Sequence, residues 1–168
     1  MNNNDFYSFL DQLENKRLYE ETKLDKVELK YHPIFNKTNA VIALGVPYYR
    51  VLKIFNVDSS LYVQYLDGND KKMVKLTLHQ LINAMAKSRR GKAKDILITK
   101  VDDNIYLAEN KSNGNTYELY YDKHHEYCSC ADFHNTNTAL KTIIPHSTDI
   151  IYCKHLMAFF QQFKPFFE

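Results

Sequence analysis

Three cysteines fall in the last 41 residues of this 168-residue chain, and each has a cysteine or a histidine two positions away. Cys128-Ser129-Cys130 is followed, after 22 residues, by Cys153-Lys154-His155, a C-x-C…C-x-H spacing. Thiolate is a soft ligand and imidazole suits the same metals, so three sulfurs and one nitrogen make a closed tetrahedral set for Zn²⁺ with no open position. Spacing of two brings Cys128 and Cys130 to one side of an extended segment. Cys153 and His155 are placed to enter a helix, where backbone N–H groups and the positive end of the dipole favour thiolate. An odd cysteine count argues against a disulfide framework, and clustered Cys beside His points to metal.

Catalytic uses of the same residue types fit less well. A zinc deaminase needs H-x-E paired with P-C-x-x-C. His124-His125-Glu126 supplies the first half, but C-x-C follows it and no P-C-x-x-C occurs. Cys153 and His155 as a nucleophile–base pair lack a visible orienting third group. There is no G-x-x-x-x-G-K-[ST], G-x-S-x-G or H-E-x-x-H. The expectation is a structural metal site, no catalytic residues and a non-enzymatic protein.

Taken with their flanks, Tyr127-Cys128-Ser129-Cys130-Ala131-Asp132-Phe133 and Tyr152-Cys153-Lys154-His155-Leu156-Met157-Ala158 resemble the SWIM zinc finger over roughly residues 96–163. The resemblance implies Cys128, Cys130, Cys153 and His155 as the zinc ligands. It also implies DNA binding or protein–protein contact, as in transposases, chromatin remodellers and recombination accessory factors. The connection from Ala131 to Tyr152 departs from the family in length and polarity, and it carries His134 and His146 as altered or additional ligand candidates.

The elements that must position these groups are read from periodicity. Phe6, Phe9, Leu10 and Leu13 predict a helix over Asp5–Tyr19. Ala40–Leu44, Tyr49–Phe55, Leu61–Leu66 and Met73–Leu76 read as strands, with turn sequences at Asp58-Ser59-Ser60 and Asp67-Gly68-Asn69-Asp70. Thr77 reads as the cap of a helix carrying Leu78, Leu81, Ile82 and Met85, with Gly91 as its stop. Ile96–Val101, Ile105–Glu109 and Thr116–Tyr121 form a second strand set. The stretch from Cys130 to Thr148 reads as a long polar loop, and Lys154–Phe163 as a final helix with Leu156, Phe159, Phe160 and Phe163 on one face.

The fold class expected is α+β: a small antiparallel β-barrel or meander with flanking helices over 1–93, then a ββα zinc module over 94–168. Apolar residues at 45% and charged residues at 25% exclude wholesale disorder. The longest apolar runs fall far short of the ~20 residues that cross a bilayer, so no membrane partner is expected. No secretory leader is read in the opening residues, and an intracellular location is expected, cytoplasmic, nucleoid or nuclear.

Net charge is only +2, but it is unevenly spread. Lys71–Lys100 holds nine basic residues against one acid, a local balance of +8. Lys87, Arg89, Arg90, Lys92 and Lys94 are the densest group and the candidate phosphate contacts, so nucleic acid, DNA above all, is the expected partner. The alternative is a protein-interaction adaptor in a DNA recombination, transposition or defence complex. There the C-terminal Phe-rich end (Phe159, Phe160, Phe163, Phe166, Phe167) docks on a larger partner.

Overall fold

The computed structural model describes residues 32–57 and 59–163. The helix expected over Asp5–Tyr19, and Phe166 and Phe167, lie outside the described residues. The chain divides into two compact units, Met1–Leu81 and Ile82–Glu168.

In the first unit, helix α1 spans Lys37–Leu44. Asn36 caps it, its side-chain oxygen accepting from the Asn39 N–H at 2.9 Å. Gly45, at φ +67°, ends it by donating its N–H to the Val41 carbonyl at 2.9 Å, in a left-handed conformation that favours glycine. The strand expected over Ala40–Leu44 is therefore corrected to helix. A short apolar run is ambiguous in period, and the flanking caps decide it.

A 3₁₀ turn (Tyr48–Arg50) then leads into β1 (Val51–Val57), β2 (Ser60–Asp67) and β3 (Asp70–Thr77), an antiparallel sheet in the order β1-β2-β3. Gly68, at φ +63°, opens the two-residue hairpin between the paired Asp67 and Asp70. Ile34, Phe35, Ala40, Val51, Leu61, Val63 and Leu76 are buried. The expected meander is present as an open three-stranded sheet, and neither sheet of the described residues closes into a barrel.

Helix α2 runs Leu78–Lys92 and contains the division between the units. Thr77 and Gln80 form a reciprocal cap: the Gln80 N–H donates to Thr77 Oγ1 (3.3 Å), and the Thr77 N–H donates to Gln80 Oε1 (2.8 Å). Gly91 does not stop the helix, which continues to Lys92 and tightens into a 3₁₀ turn, Ala93–Asp95.

The second unit holds β4 (Ile96–Asp102), β5 (Ile105–Asn110), β6 (Thr116–Tyr121) and β7 (Glu126–Cys128), antiparallel in sequence order. Helices α3 (Ala131–Ile143) and α4 (Lys154–Phe163) complete it. One sheet face, with Ile98, Tyr106, Ala108, Leu119 and Cys128, shares a core with Leu156, Ala158 and Phe159 of α4. Tyr106 meets Phe159 and Phe163 edge-on, with ring centroids 4.6 and 5.4 Å apart. Full burial of side chains such as Leu119, Leu156 and Phe159 stabilises by about 1.5–3 kcal/mol each, measured against exposure to water. Gln162 of α4 serves the outer edge of β4, donating to the Ile96 carbonyl (2.9 Å) and accepting from the Ile98 N–H (3.3 Å).

Helix α3 corrects the polar loop expected between Cys130 and Thr148. Phe133, Thr136 and Leu140 are buried on its inner side, and Asn137 pairs with the Ile151 backbone through both a donated and an accepted hydrogen bond (3.1 and 2.8 Å). Two of its polar residues, Thr136 and Asn137, are internal partners, while Asn135 and Thr138 face solvent.

Candidate metal centre

The C-x-C segment is shaped by its middle residue. The Ser129 N–H donates to the Glu118 carbonyl of β6, and Ser129 Oγ accepts from the Glu118 N–H, both at 2.9 Å. Cys128 ends β7 opposite Leu119, so its side chain points into the core with that face of the sheet. Cys130 caps α3, and its sulfur accepts from the Phe133 N–H at 3.4 Å. The first sulfur therefore comes from a strand end and the second from a helix start.

The C-x-H segment enters α4. Cys153 directly precedes the helix, its carbonyl accepting from the Met157 N–H at 3.1 Å. His155 lies in the first turn, buried, with the Tyr117 ring 4.4 Å from its own. Its Nδ1 faces Cys128 Sγ at 3.7 Å and Cys153 Sγ at 3.8 Å.

All four donor atoms, three Sγ and one imidazole nitrogen, lie within 4.8 Å of one another, and all four residues are buried. Tetrahedral zinc bond lengths place N and S ligands about 3.6 Å apart and S ligands about 3.8 Å apart, so the His155 distances fit such a shell. His155 Nε2 is buried and has no hydrogen-bond partner among the described residues. That atom carries the proton when Nδ1 is the ligand.

Without a cation, the three thiols cannot all ionise. A hydrogen bond to Cys130, then one to Cys153 and burial, push the Cys128 thiol well above its ordinary range. Cys130 is held far below it, first by the Cys128 hydrogen bond and then by that of Cys153. For Cys153 the Cys128 hydrogen bond pulls down, but the Cys130 hydrogen bond, burial and the Cys130 charge together push it up to about 12. A divalent cation removes this conflict by stabilising all three thiolates. Donor chemistry, geometry and burial together are those of a structural zinc site.

The other candidate ligands lie elsewhere. His134 is exposed on α3, its Nε2 3.2 Å from the Tyr127 hydroxyl, and His146 is exposed in the segment before α4. Neither belongs to the cluster. His124 and His125 are exposed in the turn before β7.

Of the basic group, Lys87, Arg90, Lys92 and Lys94 are exposed, with no ion-pair partner among the described residues. Arg89 is turned inward and only 7% exposed. Its guanidinium reaches Asp132, Thr136 and the Tyr152 carbonyl, so it does not share the solvent-facing surface of its neighbours. The signal available for this was helical phase, since Leu81, Met85 and Arg89 recur every four residues. Ser129, Asp132 and Tyr117 carry no motif that marks them as supports of the site.

No helix of the described residues is long and apolar enough to cross a membrane. No family model matches the chain, and searches of curated proteins and of solved structures likewise find no match.

Proposed function

We propose that the chain is a non-enzymatic nucleic-acid-binding protein built around a SWIM-type zinc finger, with DNA as its partner. The observation that carries the reading is the exposure of Lys87, Arg90, Lys92 and Lys94, four cations within eight residues. They lie at the C-terminal end of α2 and in the 3₁₀ turn after it, where no acid neutralises them among the described residues. Cations so arranged suit phosphate oxygens, which position a protein on a duplex without reading sequence. The buried, closed donor set supports a structural role for the metal, because substrate has no free coordination position there.

Fluorescence anisotropy with mixed-sequence DNA and RNA across a salt series tests the proposal. The expected result is binding that weakens with salt. Each of Lys87→Glu, Arg90→Glu, Lys92→Glu and Lys94→Glu should lower affinity, and each neutral counterpart should reduce the log–log salt slope by about one where the residue meets a phosphate. Absence of binding at low salt overturns it.

A protein-interaction adaptor is the second reading, and a different surface favours it. Phe159 is fully buried, and Phe160 and Phe163 pack on the unit's own core, so these three aromatics are already employed. The opposite face of the second sheet instead exposes Leu97, Leu107 and Tyr127. Loss of partner capture on Leu97→Ser with Leu107→Ser, with DNA affinity unchanged, would favour this reading.

A further inference from the structure

We propose that Arg89 is a positioning residue for the metal centre, tying the two ligand pairs together from outside the ligand set. The inference rests on the reading of Cys128, Cys130, Cys153 and His155 as zinc ligands and is independent of nucleic-acid binding.

The C-x-C and C-x-H pairs sit on different elements, separated by 22 residues of sequence. Bringing them to one ion requires something to fix their separation. Arg89 contacts both sides. One terminal nitrogen donates to Asp132 Oδ1 at 2.5 Å and to Thr136 Oγ1 at 2.8 Å. Asp132 is the second residue after Cys130, in the first turn of α3. The other terminal nitrogen donates to the Tyr152 carbonyl at 3.1 Å, the residue directly before Cys153. A single planar cation therefore bridges the chain beside the second ligand to the chain beside the third. The Thr136 hydroxyl, itself fully buried, completes the network by donating to Asp132 Oδ1 at 3.4 Å.

The side-chain chemistry is specific. Burying a charge is costly unless it is paired and hydrogen-bonded, and Arg89 meets that cost with one carboxylate, one hydroxyl and one carbonyl. Lysine at this position keeps the charge but has one ammonium centre in place of a planar fork, and cannot reach both sides in the same geometry. Asn137 makes a second tie, to the Ile151 backbone, but it joins α3 to the segment before Cys153 without a charge. Arg89 alone enters from a third element, α2.

Outer partners that fix metal ligands commonly change metal affinity by about 10–100-fold when removed, and Arg89→Met is expected to weaken zinc binding within that range. The measurement is competition for zinc against a chromophoric chelator on the full chain, with alkylation of Cys153 in the zinc-loaded protein read by mass spectrometry. Arg89→Lys should fall between wild type and Arg89→Met, and Cys153 should alkylate faster in the order of lost contacts. Leu140→Ala removes buried volume from α3 without touching either ligand pair, and serves as the control for plain destabilisation. It should shift affinity less than Arg89→Met at an equal loss of thermal midpoint. Asp132→Asn, which keeps shape and lowers charge, should weaken zinc in the same direction and remains informative if Arg89→Met does not fold. Affinities for both Arg89→Met and Asp132→Asn within about twofold of wild type would overturn the proposal, as would an Arg89→Met effect no larger than that of matched Leu140→Ala. Failure of the wild-type chain to bind zinc overturns the metal centre itself, whereas unchanged affinity in the variants overturns only the role of Arg89.

Discussion

Ser129 and Glu118 exchange two hydrogen bonds of 2.9 Å, one from the serine backbone and one to its hydroxyl, so the residue between Cys128 and Cys130 is held like the next rung of a sheet. This pairing turns the sulfurs on either side of Ser129 toward one point. Ser129→Ala removes only the hydroxyl bond, at an exposed position where water replaces it. A loss of about 0.5–1 kcal/mol is expected, which for a unit of this size is a drop of a few degrees in thermal midpoint. Metal stoichiometry should stay unchanged. Calorimetry with metal analysis on the same sample checks both.

The Gln162 amide supplies a donor and an acceptor to the free edge of β4. In Gln162→Ala both backbone groups of that edge turn to solvent or to another chain. The expected cost is about 1–2 kcal/mol for the two bonds together, with faster hydrogen exchange at the Ile98 amide and unchanged protection at Leu119 in the sheet interior. Exchange followed by NMR tells the local effect from a global one.

Asp122 organises the turn between β6 and β7. It accepts from the Tyr120 hydroxyl and from the His124 and His125 backbone N–H groups, each at 2.7 Å. The Tyr120 hydrogen bond foremost, with those from the backbone, pulls its carboxyl from the ordinary 3.8 to about 2. Because the folded value lies below the unfolded one, the stabilisation is fully present above about pH 4 and disappears as the pH falls through 2. The stability gap between wild type and Asp122→Asn should therefore narrow over that interval. A carboxyl ¹³C titration of Asp122 with a midpoint near 4 would contradict the geometry.

The sequence reveals parts of this molecule for different physical reasons. The four candidate ligands are legible because their chemistry is their spacing: a Cys-x-Cys and a Cys-x-His pair set soft donors two apart, twice. Six of the seven strands and helix α4 follow from alternation and from the Leu156–Phe159–Phe163 stripe, whereas three-residue β7 is too short to show a period. Helix α3 is illegible because Asn135-Thr136-Asn137-Thr138 has loop composition. Thr136 and Asn137 are nonetheless used inside the unit, as partners of Arg89 and Ile151. Arg89 is hidden by its neighbours for the reverse reason: four of five adjacent cations face water, and only the phase of α2 sets the fifth apart. In α1, the five consecutive apolar residues Ala40–Leu44 carry no period at all, and Asn36 and Gly45 settle the matter.

The most direct test of the account is the metal content of the purified chain, by native mass spectrometry before and after treatment with a strong chelator, with near-ultraviolet circular dichroism on the same samples. One zinc per chain is predicted, together with loss of the second unit's tertiary signal as the metal leaves, since structural zinc typically contributes about 10–16 kcal/mol of binding energy that is also folding energy. A metal-free chain that keeps its full tertiary signal, with Cys128, Cys130 and Cys153 all as free thiols, would contradict it.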